Sequence, residues 1–299
     1  MARSRRVRAQ AGGHTLTRKL GIQYRPVKLS RVGEAFSVSK YWHPIVDAWN
    51  PLYEDILRPF DFNKYVVPRP PVSMGGIPVA LFESCPSVLR LPIKWGGSDE
   101  VRLPKEVACL REEIGRILQY DRHINPYFTD FFVHITIDNG IVEPGTTQRF
   151  PGFHGDGLQG GKFKQKLTCE HSYIYTSVHP TVVALQPFFV AHINEDRYNI
   201  FRAFDQQVRP ESLFTLRAGH LYLIDPYIVH ASPVIHERCR RTFFRLTVTP
   251  SELLMPKNTV NPMFEGQGYP ARIDVREFVA EPDVSLPLDF YGLGEYLHG

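Results

Sequence analysis

The chain has 299 residues, 43% of them apolar and 22% charged, with a net charge of +4, a length and balance that suit a globular protein able to bury a sizeable core. No apolar run approaches the ~20 residues of a membrane-crossing helix. The four cysteines, Cys85, Cys109, Cys169 and Cys239, lack CxxC spacing, so neither a zinc site nor a disulfide framework is expected, and a reducing cytoplasmic setting is the default.

The net charge hides an asymmetry. Nine of the 35 basic residues, Arg3 to Arg31, precede the first acid, Glu34, so the remaining 26 face 31 acids, a net of −5. Residues 1–33 read as a basic, flexible tail on a mildly acidic body. Such a tail can touch nucleic acid or an anionic membrane, and its Arg-rich, acid-free start also resembles an organelle transit peptide. A solvated terminus is the simplest reading. Residues 34–299 read as one domain, with N-terminal helical support, a β core over about 130–250 and a C-terminal wrap.

In chain order, residues 36–57 mix aromatic and aliphatic positions at near-helical spacing, broken by Pro44 and Pro51, which predicts short helices. "VVPRPPVSMGGIPV" is rich enough in Pro and Gly to predict an ordered loop. "LPKEVACLREEIGRILQY" predicts a helix with Pro104 in its first turn and an apolar stripe of Val107, Leu110, Ile114, Ile117 and Leu118, packed on a sheet. After residue 130 come short β-branched and aromatic runs: "FFVHITI", "HSYIYTSV", "TVVALQPFFVAHI", "LFTLRAGHLYLID", "YIVHASPVI" and "RTFFRLTVT". Regular runs without intervening helices predict a mainly β fold with flanking helices, a double sheet or jelly roll of the cupin-like, double-stranded β-helix kind. The proline-punctuated segment after Met255 reads as an irregular wrap.

Among these runs lies "FHGDGL", in which His154 and Asp156 flank one glycine. A His-x-Asp triplet is common by chance; a turn with a surface His explains it equally well when alone. A third ligand changes its weight. His230 stands 74 residues after Asp156 on a late strand, where it can face the triplet across a barrel mouth. Two His and one carboxylate on one face of a metal leave the other face open, the arrangement of non-haem Fe(II) oxygenases. Beyond His230, period two in "RRTFFRLTVT" sets Arg241, Phe243, Arg245 and Thr247 on one face. An inward arginine implies an anionic partner, since an unpaired buried charge is costly.

Taken together, His154, Asp156, His230 and Arg245-x-Thr247, with "AGHLYLID" before the distal His, resemble the Fe(II)/2-oxoglutarate-dependent dioxygenases over about residues 130–250. The resemblance implies Fe(II) held by His154, Asp156 and His230. It also implies 2-oxoglutarate chelating the iron and held at its far carboxylate by Arg245 and Thr247, and O2 at the remaining position, with succinate and CO2 as products. Arg245 lies 15 residues after His230, and threonine replaces the family's serine; Arg241, on the same face 11 residues after His230, is the alternative anchor, nearer solvent on this reading. Because Asp156 is present, hydroxylation, desaturation or cyclisation is implied over halogenation. Tyr173 and Tyr175 are candidate contacts to 2-oxoglutarate, with core packing as the plainer role. In the glycine-rich stretch after the triplet, Lys162 and Lys164 offer anion contacts to substrate, as do Arg90 and Lys94. The leading expectation is an oxygenase acting on a small-molecule metabolite. The alternatives are a nucleic-acid or protein hydroxylase tethered by the basic tail, and a non-oxidative cupin-like metal-binding protein.

Overall fold

In the computed structural model, the residues described are 27–38, 60–149, 151–156, 170–191, 193, 200–250, 252 and 258–265. The fold is mainly antiparallel β, with eleven strands and three α-helices among them. The strands are β1 (Gly33–Ser37), β2 (Val72–Gly76), β3 (Val88–Lys94), β4 (Glu100–Pro104), β5 (Phe132–Val142), β6 (His171–Thr176), β7 (Val182–Ala184), β8 (Leu213–Thr215), β9 (His220–Ile224), β10 (His230–Ala231) and β11 (Cys239–Thr249). The helices are α1 (Ala80–Glu83), α2 (Arg111–Ile124) and α3 (Ile200–Gln207). None is long and apolar enough to cross a membrane.

Eight strands form one sheet in the order β1, β4, β3, β5, β11, β6, β9, β2; three form a second in the order β10, β7, β8. The bridge between His154 and His230 extends the smaller sheet beyond β10. Residues directly opposite each other across an antiparallel pair share a face, so the register sorts the large sheet. One face carries Val133, Ile135 and Ile137 of β5, Phe244, Leu246 and Val248 of β11, Tyr173 and Tyr175 of β6, and Leu221 and Leu223 of β9. These join the α2 residues Ile114, Ile117 and Leu118 in the main apolar core, where each large aliphatic side chain contributes about 1.5–3 kcal/mol by leaving water.

The opposite face is polar. His134, Thr247 and Ser172 form one row across β5, β11 and β6; Thr136, Arg245 and Ile174 form the next. In β3, Val88 pairs with Ile137 and Leu91 with Ile135, so Leu89 and Arg90 together stand opposite Thr136. This bulge, with Arg90 at φ 46°, turns the Arg90 end of β3 toward the polar face. Bulges commonly re-aim a side chain beside a functional site.

The structure corrects five local expectations. Val72–Gly76 is not loop but an edge strand paired to β9; its glycines are tolerated at a sheet edge, and Gly75, at φ 93°, marks the register shift there. The expected helix begins only at Arg111, because Leu103 and Pro104 end β4 and Ala108–Leu110 form a 3-10 turn. The apolar stripe nevertheless stays intact and buried across that change of geometry. Part of the segment assigned to the basic tail is packed: Leu29 is buried, and Glu106 accepts from the Ser30 backbone and hydroxyl. Lys94 does not approach the polar face; its Nζ donates to the carbonyls of Phe128 and Thr129, both at 2.9 Å. The segment 36–57, expected to be helical, starts instead as strand, since Phe36 and Ser37 end β1 paired to β4; residues 39–57 and most of the C-terminal wrap lie outside the described residues.

Candidate metal centre

His154 and His230 are brought together by their backbones. His154 N donates to His230 O, and His230 N to His154 O, both at 2.9 Å. Asp156, two residues on, completes a group whose potential ligand atoms all lie within 4.8 Å of one another. His154 Nδ1 lies 3.1 Å from Gly152 O and His230 Nδ1 2.9 Å from Ile228 O. A carbonyl oxygen only accepts, so each Nδ1 carries a proton, which makes Nε2 the nitrogen that a neutral ring would offer to a metal. Burial, helped by the nearby His230, lowers the His154 pKa to about 4, so its ring is neutral at physiological pH.

Asp156 is buried, which by itself would raise its pKa, but Arg245, with His230 and His154, holds the carboxyl well below the usual range. Arg245 NH1 donates to Asp156 Oδ1 at 2.9 Å. Asp156 Oδ2 is buried and has no partner in hydrogen-bond geometry among the described residues, although the Ser172 hydroxyl is near enough to help hold the carboxyl ionised. A buried carboxylate oxygen left in this way, beside two imidazoles, makes a donor set that could hold a divalent transition metal.

The glycine between His154 and Asp156 has a steric reason. A Cβ on Gly155 would lie 2.5 Å from Pro226 O and 2.6 Å from the Tyr65 hydroxyl, and that hydroxyl already donates to Pro226 O at 2.9 Å. The same turn is pinned by Asp225, which accepts from Arg69 at 2.8 Å and from Tyr227 N at 2.9 Å. On the other side, α3 contributes Asp205, whose Oδ1 accepts from Phe153 N at 2.7 Å. Gly155→Ala is expected to push the triplet away from the 225–227 turn, an overpacking cost of about 1–3 kcal/mol. Where that cost falls on the geometry that binds metal, it corresponds to roughly a 5- to 150-fold loss of Co(II) or Fe(II) affinity. Unchanged affinity by titration would show that the close approach is dispensable.

The other candidates divide sharply. Arg245 and Thr247 share the polar face of the large sheet, with Arg245 against Asp156. Arg90 reaches the same region: its charge helps depress His134 and acts on Glu170. Tyr173 and Tyr175 point the other way. Tyr173 donates to Asp121 of α2 at 2.7 Å, and Tyr175 stacks on Phe82 with centroids 4.8 Å apart, so neither contacts the ligand group. His171, an alternative ligand by residue type, binds Asp121 on that same apolar side. Arg241, expected near solvent, is 1% exposed. It donates to the Val178 and His179 carbonyls and to the Gln148 side chain, which commits its guanidinium to the sheet's far end. Lys162 and Lys164 lie outside the described residues.

Sequence reading missed His134, Glu170 and Ser172. His134 is 2% exposed, and neither ring nitrogen makes a hydrogen bond; the Glu252 backbone approaches without reaching bonding geometry. The signal was present: His134, Thr136 and Asp138 alternate with Val133, Ile135 and Ile137, the mark of a strand with one polar face. Burial raises the Glu170 pKa to about 7, with Asp156 adding to the shift.

His134 gives a pH test. Burial, then the charge of Arg90, lowers its pKa to about 3, so the unfolded chain takes up a proton below its ordinary value while the folded chain refuses it. Stability is therefore full above that value and is lost as pH falls toward the folded pKa. Between pH 6 and 4 this group should remove about 2–3 kcal/mol. Glu170 acts in the opposite sense, so the measurement is a difference: denaturant melts of His134→Gln and the parent should converge as pH falls. A constant gap from pH 6 to 4 would show that His134 titrates normally.

No protein-family model matches the sequence, and a search of curated proteins finds no match. Among solved structures, the chain is similar to EvdO2 from Micromonospora carbonacea var. aurantiaca, determined in complex with 2-oxoglutarate. The identity is 15% over 40% of this chain, and the TM-score is 0.25. The match spans about half of that protein, 51% of its length.

Proposed function

We propose that this chain is an Fe(II)- and 2-oxoglutarate-dependent oxygenase that hydroxylates, desaturates or cyclises a small molecule, consuming O2 and releasing succinate and CO2. The observation that carries this reading is the convergence of His154, His230 and Asp156, whose potential ligand atoms lie within 4.8 Å of one another, next to an arginine on an interior polar face. Two imidazoles and one carboxylate suit iron in a site that keeps positions open for other ligands.

Strand order supports a double-stranded β-helix. Taken along the chain from β5, the segments fall in the large sheet, the small one at His154, the large at β6, the small at β7 and β8, the large at β9, the small at β10 and the large at β11. Two sheets wound from one doubled-back ribbon give that alternation.

His154, Asp156 and His230 would hold the iron, which when bound supplies the O2 activation that couples decarboxylation of 2-oxoglutarate to oxidation of an unactivated C–H bond. The protein's part is positional. The Gly152 and Ile228 carbonyls fix the tautomers and ring planes of the two histidines. Arg245 neutralises Asp156 and, with Thr247, offers a charge-assisted grip for the distal carboxylate of 2-oxoglutarate. Arg90 stands across Thr136 from Arg245 as a contact for substrate.

The test is anaerobic addition of Fe(II) and 2-oxoglutarate. A weak visible charge-transfer band is expected, lost in His230→Ala. Admitting O2 should then give succinate, and screened metabolites that stimulate it should gain one oxygen or lose two hydrogens. No band and no succinate, or equal turnover with Zn(II), would sink the reading.

A further inference from the structure

Cys85 and Cys109 are 24 positions apart, yet their sulfurs lie 3.3 Å from each other. Both thiols also reach one acceptor, the Leu81 carbonyl, at 3.5 and 3.4 Å. Cys85 is buried just beyond α1, while Cys109 is exposed in the 3-10 turn before α2. Nothing in the metal centre uses either residue. We propose that this pair is a redox modification site, converted by a peroxide-class oxidant into a disulfide that clamps α1 to the start of α2.

The geometry assigns the order of events. Cys109 is the sulfur an oxidant in solution can reach. Its thiolate attacks one oxygen of hydrogen peroxide, the O–O bond breaks, and with one proton the departing oxygen leaves as water, giving a sulfenic acid. Cys85 then attacks that sulfur; the S–O bond breaks and the hydroxyl leaves with the Cys85 proton as a second water. Two thiols lose two electrons in all, and one peroxide becomes two waters. Burial, reinforced by Cys109, pushes the Cys85 thiol far up, which keeps it inert toward peroxide until its neighbour becomes electrophilic. The sulfurs must close by roughly 1 Å to bond, a shift that two short helical turns can absorb.

The cross-link has a structural consequence, because the segment it closes contains both β3 and β4. Phe82, on the α1 side, stacks on Tyr175 and lies 5.4 Å from Phe244 beneath the polar face of the large sheet. Asn139 of β5 already holds α1 through the Phe82 carbonyl at 2.8 Å. A covalent tie between α1 and the approach to α2 would add to that anchorage by restricting the unfolded chain.

The experiment uses the full chain with Cys169→Ser and Cys239→Ser, treated with hydrogen peroxide, denatured and alkylated. Two hydrogens should be lost from the intact mass, no thiol should remain to alkylate, and digestion should yield one linked peptide pair containing residues 85 and 109. Dithiothreitol should reverse all three. The oxidised protein should melt roughly 5 °C higher than the reduced one, and the additional Cys109→Ser change should abolish both cross-link and shift. Cys109 driven to sulfinic acid with Cys85 still alkylatable, or a cross-link that leaves the melt unchanged or lowered, would overturn the proposal.

Discussion

Asp156→Ala is expected to harm the protein twice, in ways that can be measured separately. Without metal, Asp156 and Arg245 form an ion pair with side-chain exposures of 6% and 14%. Removing one partner of a buried pair leaves the other charge in a poor solvent, a cost of about 3–5 kcal/mol; the partial exposure of Arg245 argues for the lower end. The apoprotein should therefore lose about 3 kcal/mol in a denaturant melt, and Fe(II) binding should vanish with the anionic ligand. His154→Ala and His230→Ala should also abolish metal binding and turnover, but they leave no charge behind and should destabilise the apoprotein less. That ordering separates the ligand role, common to all three, from the ion-pair role that belongs to Asp156. An Asp156→Ala protein as stable as the parent, or full activity in any of the three, would remove the corresponding role.

The second large effect concerns the two arginines of β11. Arg245→Met should raise the KM for 2-oxoglutarate about 30-fold or more, since a buried charge-assisted contact is worth roughly 2–5 kcal/mol. Its fold should persist, because Asp156 can be neutralised instead by protonation or by metal. Arg241→Met should behave otherwise. Arg241 is enclosed and holds the Val178 and His179 carbonyls together with Gln148, so its loss strands several buried acceptors at about 1–3 kcal/mol each. The expected signature is a sharply lowered melting temperature, with near-normal KM in whatever folds. If Arg241→Met instead raises KM selectively and melts normally, the anchor is Arg241 and the assignment to Arg245 falls.

The convergence of His154, Asp156 and His230 was legible because these residues lie in local patterns. His154 and Asp156 sit in one triplet, His230 follows a strand-like run, and strict alternation on β11 put Arg245 and Thr247 on one face. The failures share a physical cause: information that resides in register. In "HSYIYT" all six residues are buried, so hydrophobicity carries no parity, and the face shown by Tyr173 was set only by pairing with Leu246. Arg90 reaches the polar face through a bulge whose partner, Thr136, is 46 residues away. Arg241 looked solvent-facing because a charged turn precedes it, but its acceptors come from a segment over 60 residues earlier. The cysteine pair was hidden in the same way, since spacing in sequence cannot report two turns that meet edge to edge.

The reciprocal hydrogen bonds between His154 and His230 set the stage at which a metal can enter. These residues are 76 positions apart and joined through main-chain atoms, so the ligand group exists only after the intervening strands have wound into place. Loop-closure entropy for bringing them together is met by strand pairing rather than by the ion. Metal therefore has little purchase on an early folding intermediate: it should slow unfolding while leaving the refolding limb of a chevron nearly unmoved. A metal held at such a late-formed group would be loaded onto a chain already folded.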